Sequence, residues 1–149
     1  MSVKQISIFM EHKPGSLHEL TTLLANNDIH VRALTVAETG DMALIRLLVD
    51  NFLWTASLLK NSGYHATYND VIVSKISNIP GGFNHILEVL HNANINIEHT
   101  YSIMTSKNNL SGSESDAYMV FEVDDFEKAS GLLREAGIQI LKQGELPGI

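Results

Sequence analysis

An internal repeat constrains this chain more than any other feature. The segments Lys13-Pro14-Gly15-Ser16-Leu17 and Ile79-Pro80-Gly81-Gly82-Phe83 superpose at an offset of 66 residues. Downstream, Leu20 falls on Ile86, Leu24 on Leu90, Asn26 on Asn92, Ile29 on Ile95 and Val31 on Ile97. The offset then grows to 74, where Val49-Asp50-Asn51-Phe52 meets Val123-Asp124-Asp125-Phe126 and Ser62-Gly63 meets Ala136-Gly137. The eight additional residues of the second half fall within 106–116, an Asn-, Ser- and Gly-rich stretch that reads as an exposed loop. A length of 149 residues suggests one domain, but the repeat divides it into two, 1–70 and 71–149.

Both halves carry the same order of elements. Ile6, Ile8 and Met10 alternate with polar or outward residues, and Ile72, Val73 and Ile76 open the second half, so each half begins with a strand. A Pro-Gly turn follows. Leu17, Leu20 and Leu24, and then Phe83, Ile86, Leu87 and Leu90, fall at helical spacing and place one apolar stripe on each first helix. The β-rich runs 29–36 and 95–104 predict second strands, and 42–49 and 117–123 predict third strands. Helical spacing returns over 51–61 and 125–135, each stretch stopped by a glycine, Gly63 or Gly137. Short last strands are expected at 64–68 and 138–141. The order β-α-β-β-α-β, twice, is an α+β arrangement of two ferredoxin-like units, each an antiparallel sheet with both helices on one face. A unit of about 70 residues buries little apolar surface alone, so the two are expected to pack side by side.

Composition narrows the function. Ten Lys and Arg against 17 Asp and Glu leave a net charge of −7, which repels nucleic-acid phosphates and anionic lipid. With no cysteine, disulfides, thiolate catalysis and Cys-ligated zinc are excluded. The opening Met1-Ser2-Val3-Lys4-Gln5 has no secretory pattern, and no apolar run is long enough to span a bilayer, so a cytoplasmic location is expected. No nucleophile elbow, Walker loop or dinucleotide fingerprint occurs, so the chain reads as a protein without catalysis or cofactor. His85, Glu88 and His91 share i, i+3 spacing, but a di-iron bundle needs facing helices this order does not supply, and the three read as solvent-facing. Asp124-Asp125 and Asp50-Asn51 read as helix caps.

A Pro-Gly turn between first strand and first helix, followed by an Asn-rich turn and a β-rich strand (NNDIHVRAL and NANINIEHT), resembles the ACT domain family in both halves and across nearly the whole chain. The resemblance implies a stand-alone tandem ACT protein that binds an amino acid where two units pair, and implies homodimerisation. A second reading is a regulatory subunit docking on a biosynthetic enzyme, similar to the small subunit of acetolactate synthase.

The resemblance also places candidate ligand contacts. They are His12, Lys13, Pro14, Gly15, Ser16 and Leu17 in the first loop, and Asn78, Ile79, Pro80, Gly81, Gly82 and Phe83 in the second. At the start of the second strands it adds His30 and Asn96. In the family the residue two before the proline is often Asp or Asn, positioned for a ligand ammonium; Asn78 keeps that pattern and His12 departs from it. The physics of such a loop is independent of the resemblance. A turn leading into a helix presents N–H groups at the positive end of the helix dipole, suited to a carboxylate. Ser16 and Glu19 have capping-box spacing, absent at Gly82, so the second loop is expected to hold more free donors and to bind better. Trp54 and Phe52 read as core or interface anchors; Tyr101 reads either as an ordinary strand aromatic or as a pocket wall.

Overall fold

The computed structural model describes residues 1–77, 79–103 and 117–147. The loop expected over 106–116 and the end of the strand expected over 95–104 lie outside the described residues. Two compact units form, one of Lys4–Asn69 and one of Met1–Val3 with Asp70–Ile149. Residues 1–3 join the second unit through Ser2 Oγ, which donates to the Asp70 carboxylate, and through Met1 O, which accepts from Gln143 N at 3.0 Å.

The first unit runs β1 (Val3–Glu11), α1 (Ser16–Asn26), β2 (Val31–Thr39), β3 (Met42–Val49) and α2 (Phe52–Asn61), and takes in the first part of β4 (His65–Ile76). β3 pairs antiparallel with β1 and with β2, so that Ile8, Ile45 and Val36 share one rung. Alternation sends Ile6, Ile8, Ala43, Ile45, Leu47 and Val49 to one face. There they form a single core with Leu20 and Leu24 of α1 and Leu59 of α2, so both helices cover the same side of the sheet.

The second unit repeats this with the rest of β4, α3 (Gly82–Asn92), β5 (Ile97–Ser102), β6 (Ala117–Val123) and α4 (Phe126–Glu135). β6 pairs antiparallel with β4 and β5. Its core of Ile72, Ile86, Leu90, Ile95, Phe121 and Leu133 occupies the positions of Ile6, Leu20, Leu24, Ile29, Leu47 and Leu59. The strand expected at 138–141 is reduced to one antiparallel bridge, Ile140 to Ser74, flanked by Leu141 N donating to Val73 O at 2.8 Å. Both units are ferredoxin-like.

Local chemistry explains the shared boundaries. Asn51 and Asp125 cap α2 and α4, their side chains accepting from Trp54 N and Lys128 N at 3.1 Å. Gly63 and Gly137 take left-handed φ of 81° and 78° after those helices, and Tyr64 N and Ile138 N close back on Leu59 O and Leu133 O. After the first helices Asp28 and Asn94 take the left-handed role, at φ of 55° and 57°. β2 and β5 begin two residues later than the β-rich pattern suggests. Asp50 and Asp124 explain this, each accepting the backbone N–H of the residue just before the strand, His30 or Asn96, at 3.1 Å.

Candidate functional site

In each unit the strand-to-helix connection is built by the same turn. Ser16 N donates to Lys13 O at 3.2 Å and Gly82 N to Ile79 O at 3.1 Å, closing four-residue turns with proline second and glycine third. Gly15 at φ 89°, ψ −16° and Gly81 at φ 87°, ψ −8° mark both as type II turns, whose third position demands a positive φ. Proline supplies the fixed φ of the second position.

These glycines are also the N-caps of α1 and α3, and neither cap is made by a side chain. The capping box expected from Ser16 and Glu19 is therefore not formed. The turn makes Gly15 the cap, leaves Ser16 as the first helical residue with its N–H already used, and lets Glu19 N bond Gly15 O at 2.9 Å. The expected surplus of donors in the second loop disappears with it. In both loops the next two backbone N–H groups, of Leu17 and His18 and of Phe83 and Asn84, have no protein acceptor among the described residues. Each pair sits at the positive end of an 11-residue helix.

The first loop borders a cavity of about 150 Å³. His12, Lys13, Gly15, Ser16 and Leu17 line it, joined by Glu11 and His18 at the rim. Its floor is apolar, built of Met10 from β1, Val36 from β2 and Ala43 and Ile45 from β3. Pro14 sits in the turn, outside the lining. His12 N is held by Asp41 O at 2.8 Å. Lys13 Nζ lies 3.0 Å from Glu11 Oε2 with both side chains exposed, and that hydrogen bond and charge hold the ammonium above the usual lysine range.

The second loop differs in packing. A Cβ on Gly82 would lie 2.1 Å from Ser77 O, so the backbone approaches too closely for any other residue. Phe83 stacks on buried Phe121 with ring centroids 5.9 Å apart, while Ile79 is exposed. Asn78 lies outside the described residues.

His30 and Asn96 are not brought to the loop of their own unit. β1, β2 and β3 register Glu11 against Met42 and Met42 against Thr39 at the loop end, whereas His30 precedes Val31, which pairs with Val49 at the opposite end. Asn96 likewise precedes Ile97, paired with Val123, while the second loop follows Ile76, paired with Ala117. Tyr101 is buried in β5 with its ring 5.5 Å from that of His99. His85, Glu88 and His91 are exposed on α3, and among the described residues no three His, Asp or Glu side chains group to hold a metal. No helix of the described residues is long and apolar enough to cross a membrane.

The cavity's floor and His18 escape sequence reasoning. Val36, Ala43 and Ile45 carry only the alternation of ordinary strands, and nothing local says that strand register brings them beneath the turn.

The family model of the ACT domain pair matches residues 1–147. A protein of known structure from Bacteroides thetaiotaomicron is 30% identical, the match covering 100% of this chain and 98% of that one, with a TM-score of 0.88. The ligand-free regulatory subunit of aspartate kinase from Thermus thermophilus shares the fold at 17% identity, 92% coverage of each chain and a TM-score of 0.66. That of Thermus flavus does so at 16% identity, 92% coverage of each and 0.61. No curated protein matches.

Proposed function

The chain belongs to the ACT domain family as an ACT domain pair, and from that premise we propose that it is a non-catalytic regulatory protein whose Pro-Gly turns bind an amino acid. One observation carries the reading: the first turn, whose Leu17 and His18 N–H groups have no protein acceptor among the described residues, borders a small cavity with an apolar floor. Leu17 N–H and His18 N–H receive the α-carboxylate. Met10, Val36, Ala43 and Ile45 receive the ligand side chain. A volume of about 150 Å³ is well below that of drug-sized sites and suits a small amino acid.

The ammonium needs an acceptor, and the family places it partly on the start of a second strand. Because His30 and Asn96 stand at the far ends of their own sheets, such an acceptor comes from another ACT unit. The proposed ligand therefore lies between two units, with His12 or Asn78 and His30 or Asn96 as its polar contacts. Regulation follows if the ligand favours one arrangement of units over another, since only differential affinity shifts an equilibrium.

A thermal-shift panel of the common amino acids tests this. A ligand at about 100 times its Kd stabilises the protein by about 2.7 kcal/mol, a clear rise in midpoint; a panel in which no amino acid moves the midpoint overturns the reading. Gly15→Val and Gly81→Val then assign the loop. Open space surrounds both positions, but a Cβ strains the positive φ each turn requires; circular dichroism checks that each variant is folded, and the folded variant that abolishes the shift marks the binding turn.

A further inference from the structure

In the first unit the segment that follows α2 covers it with a ring. Tyr68 of β4 lies over the helix, edge-on to Phe52 with ring centroids 5.3 Å apart and with its hydroxyl 3.5 Å from Ala56 O. At the repeat offset of 74, the equivalents of Phe52, Ala56 and Tyr68 are Phe126, Ser130 and Lys142. The second unit therefore has no ring to lay over α4, and Phe126 has no ring partner among the described residues. On this side of α4 the second unit holds a cavity of about 250 Å³, larger than the one at the first turn. Phe126 and Arg134 form its α4 wall, and Ile140, Leu141 and Lys142 form the wall opposite.

Charge is divided along this cavity. The chain leaves α4 at Ile138, whose N–H donates to Leu133 O, and returns along the helix to Lys142, in the place of Tyr68 at the Phe126 end. The lining carboxylates belong to that end too. Glu127 follows Phe126, and Asp70 accepts from Ser2 Oγ, beside Met1, whose carbonyl accepts Gln143 N at 3.0 Å. Arg134 stands apart, two turns or about 10 Å along α4 from Glu127. Its exposed guanidinium has no hydrogen bond or ion pair among the described residues. Helical side chains lean toward the N-terminus, so Arg134 reaches back over the turn of Ser130.

We propose that this cavity is a second ligand site, for a small aromatic carboxylate whose ring takes the place that Tyr68 fills in the first unit. A ring against Phe52 brings its far end to Ala56; the same ring against Phe126 brings its substituent to Ser130, within reach of Arg134. Edge-to-face contact with Phe126 favours an aromatic ring. The planar guanidinium fork matches a carboxylate with two parallel hydrogen bonds. Ile140 and Leu141 give the ring an apolar wall on its other side. The site uses no residue of the Pro-Gly turns and stands or falls apart from them.

Benzoate is the probe, followed by backbone amide spectra of the full chain. It should shift amides of 126–134 and 140–142 and leave those of 13–18 in place. Arg134→Gln should weaken binding about 10-fold or more, the loss of a charge-assisted hydrogen bond. Lys142→Tyr introduces the first unit's own solution and should abolish binding by filling the cavity. Benzamide, a ring without charge, should bind about 10-fold more weakly. Cyclohexanecarboxylate, a charge without an aromatic ring, should lose about 2- to 10-fold. Circular dichroism checks that each variant is folded, and if Lys142→Tyr is not, Arg134→Gln decides. No shift over 126–142 at millimolar benzoate, or shifts confined to the first turn, overturns the proposal. So does undiminished binding by Arg134→Gln or by folded Lys142→Tyr, or binding of benzamide or cyclohexanecarboxylate equal to that of benzoate.

Discussion

The two units are the same frame filled in two ways. Type II turns at Pro14-Gly15 and Pro80-Gly81, left-handed Asp28 and Asn94, caps at Asn51 and Asp125, and the Asp50 and Asp124 clasps recur in equivalent places. These are backbone requirements, met twice by similar residues because few residue types meet them. The fillings diverge. Leu47 corresponds to Phe121, Ser16 to Gly82 and Tyr64 to Ile138 in the repeat. What recurs is what the fold needs, and what differs is where each unit has been adapted.

The largest expected effect tests the core. Phe121 is fully buried, pairs with Ile72 and carries the Phe83 ring above it. Phe121→Ala should destabilise the second unit by about 3–5 kcal/mol through the cavity it leaves, of which about 0.5–1.5 kcal/mol is the lost ring pair. Amide exchange at 79–83 should rise with it, since Phe83 anchors the start of α3. Leu47→Ala in the first unit should leave exchange at 13–17 much less affected, because no ring from that loop rests on Leu47. Equal responses of the two loops in chemical denaturation and exchange would erase the distinction between the two cores.

Most of the frame was legible in the sequence because its signals are local. Helix stripes, Pro-Gly turns, stop glycines and the capping Asn51 and Asp125 act within a few residues, and each is found where the pattern places it. The capping box at Ser16 misleads for a physical reason. Spacing alone cannot reveal that a type II turn makes the preceding glycine the cap. The late start of β2 depends on Asp50 reaching His30, 20 residues away in sequence. The lone bridge at Ile140 and the apolar floor under the first turn depend on register between strands. Such pairings have no signature in a single sequence.

A middle-sized effect separates the loops themselves. Gly82→Ala drives a Cβ to 2.1 Å from Ser77 O, a backbone atom that cannot swing aside. The loop must shift, at about 1–3 kcal/mol. Ser16→Ala at the equivalent position removes no cap bond and should stay within about 0.5 kcal/mol. Denaturation midpoints of the two variants decide the matter: a neutral Gly82→Ala means that the close approach of the second turn is dispensable.

The smallest effect belongs to the last pair. Tyr64 packs against the first core where Ile138 packs against the second. Burial, and secondarily the Glu19 carboxylate, push its phenol above the ordinary value of 10.0. A raised folded-state pKa means that the native protein holds this proton more tightly than the unfolded chain. The contribution is complete below the unfolded value of 10.0 and is lost as pH climbs from there through the folded pKa. Tyr64→Phe keeps the ring and removes the titration, so its midpoint should fall less steeply than wild type as pH rises past 10.0. Ile138→Val in the second unit leaves that slope unchanged. Parallel alkaline profiles for wild type and Tyr64→Phe would show that the phenol titrates alike in the folded and unfolded chain, and would remove this difference between the units.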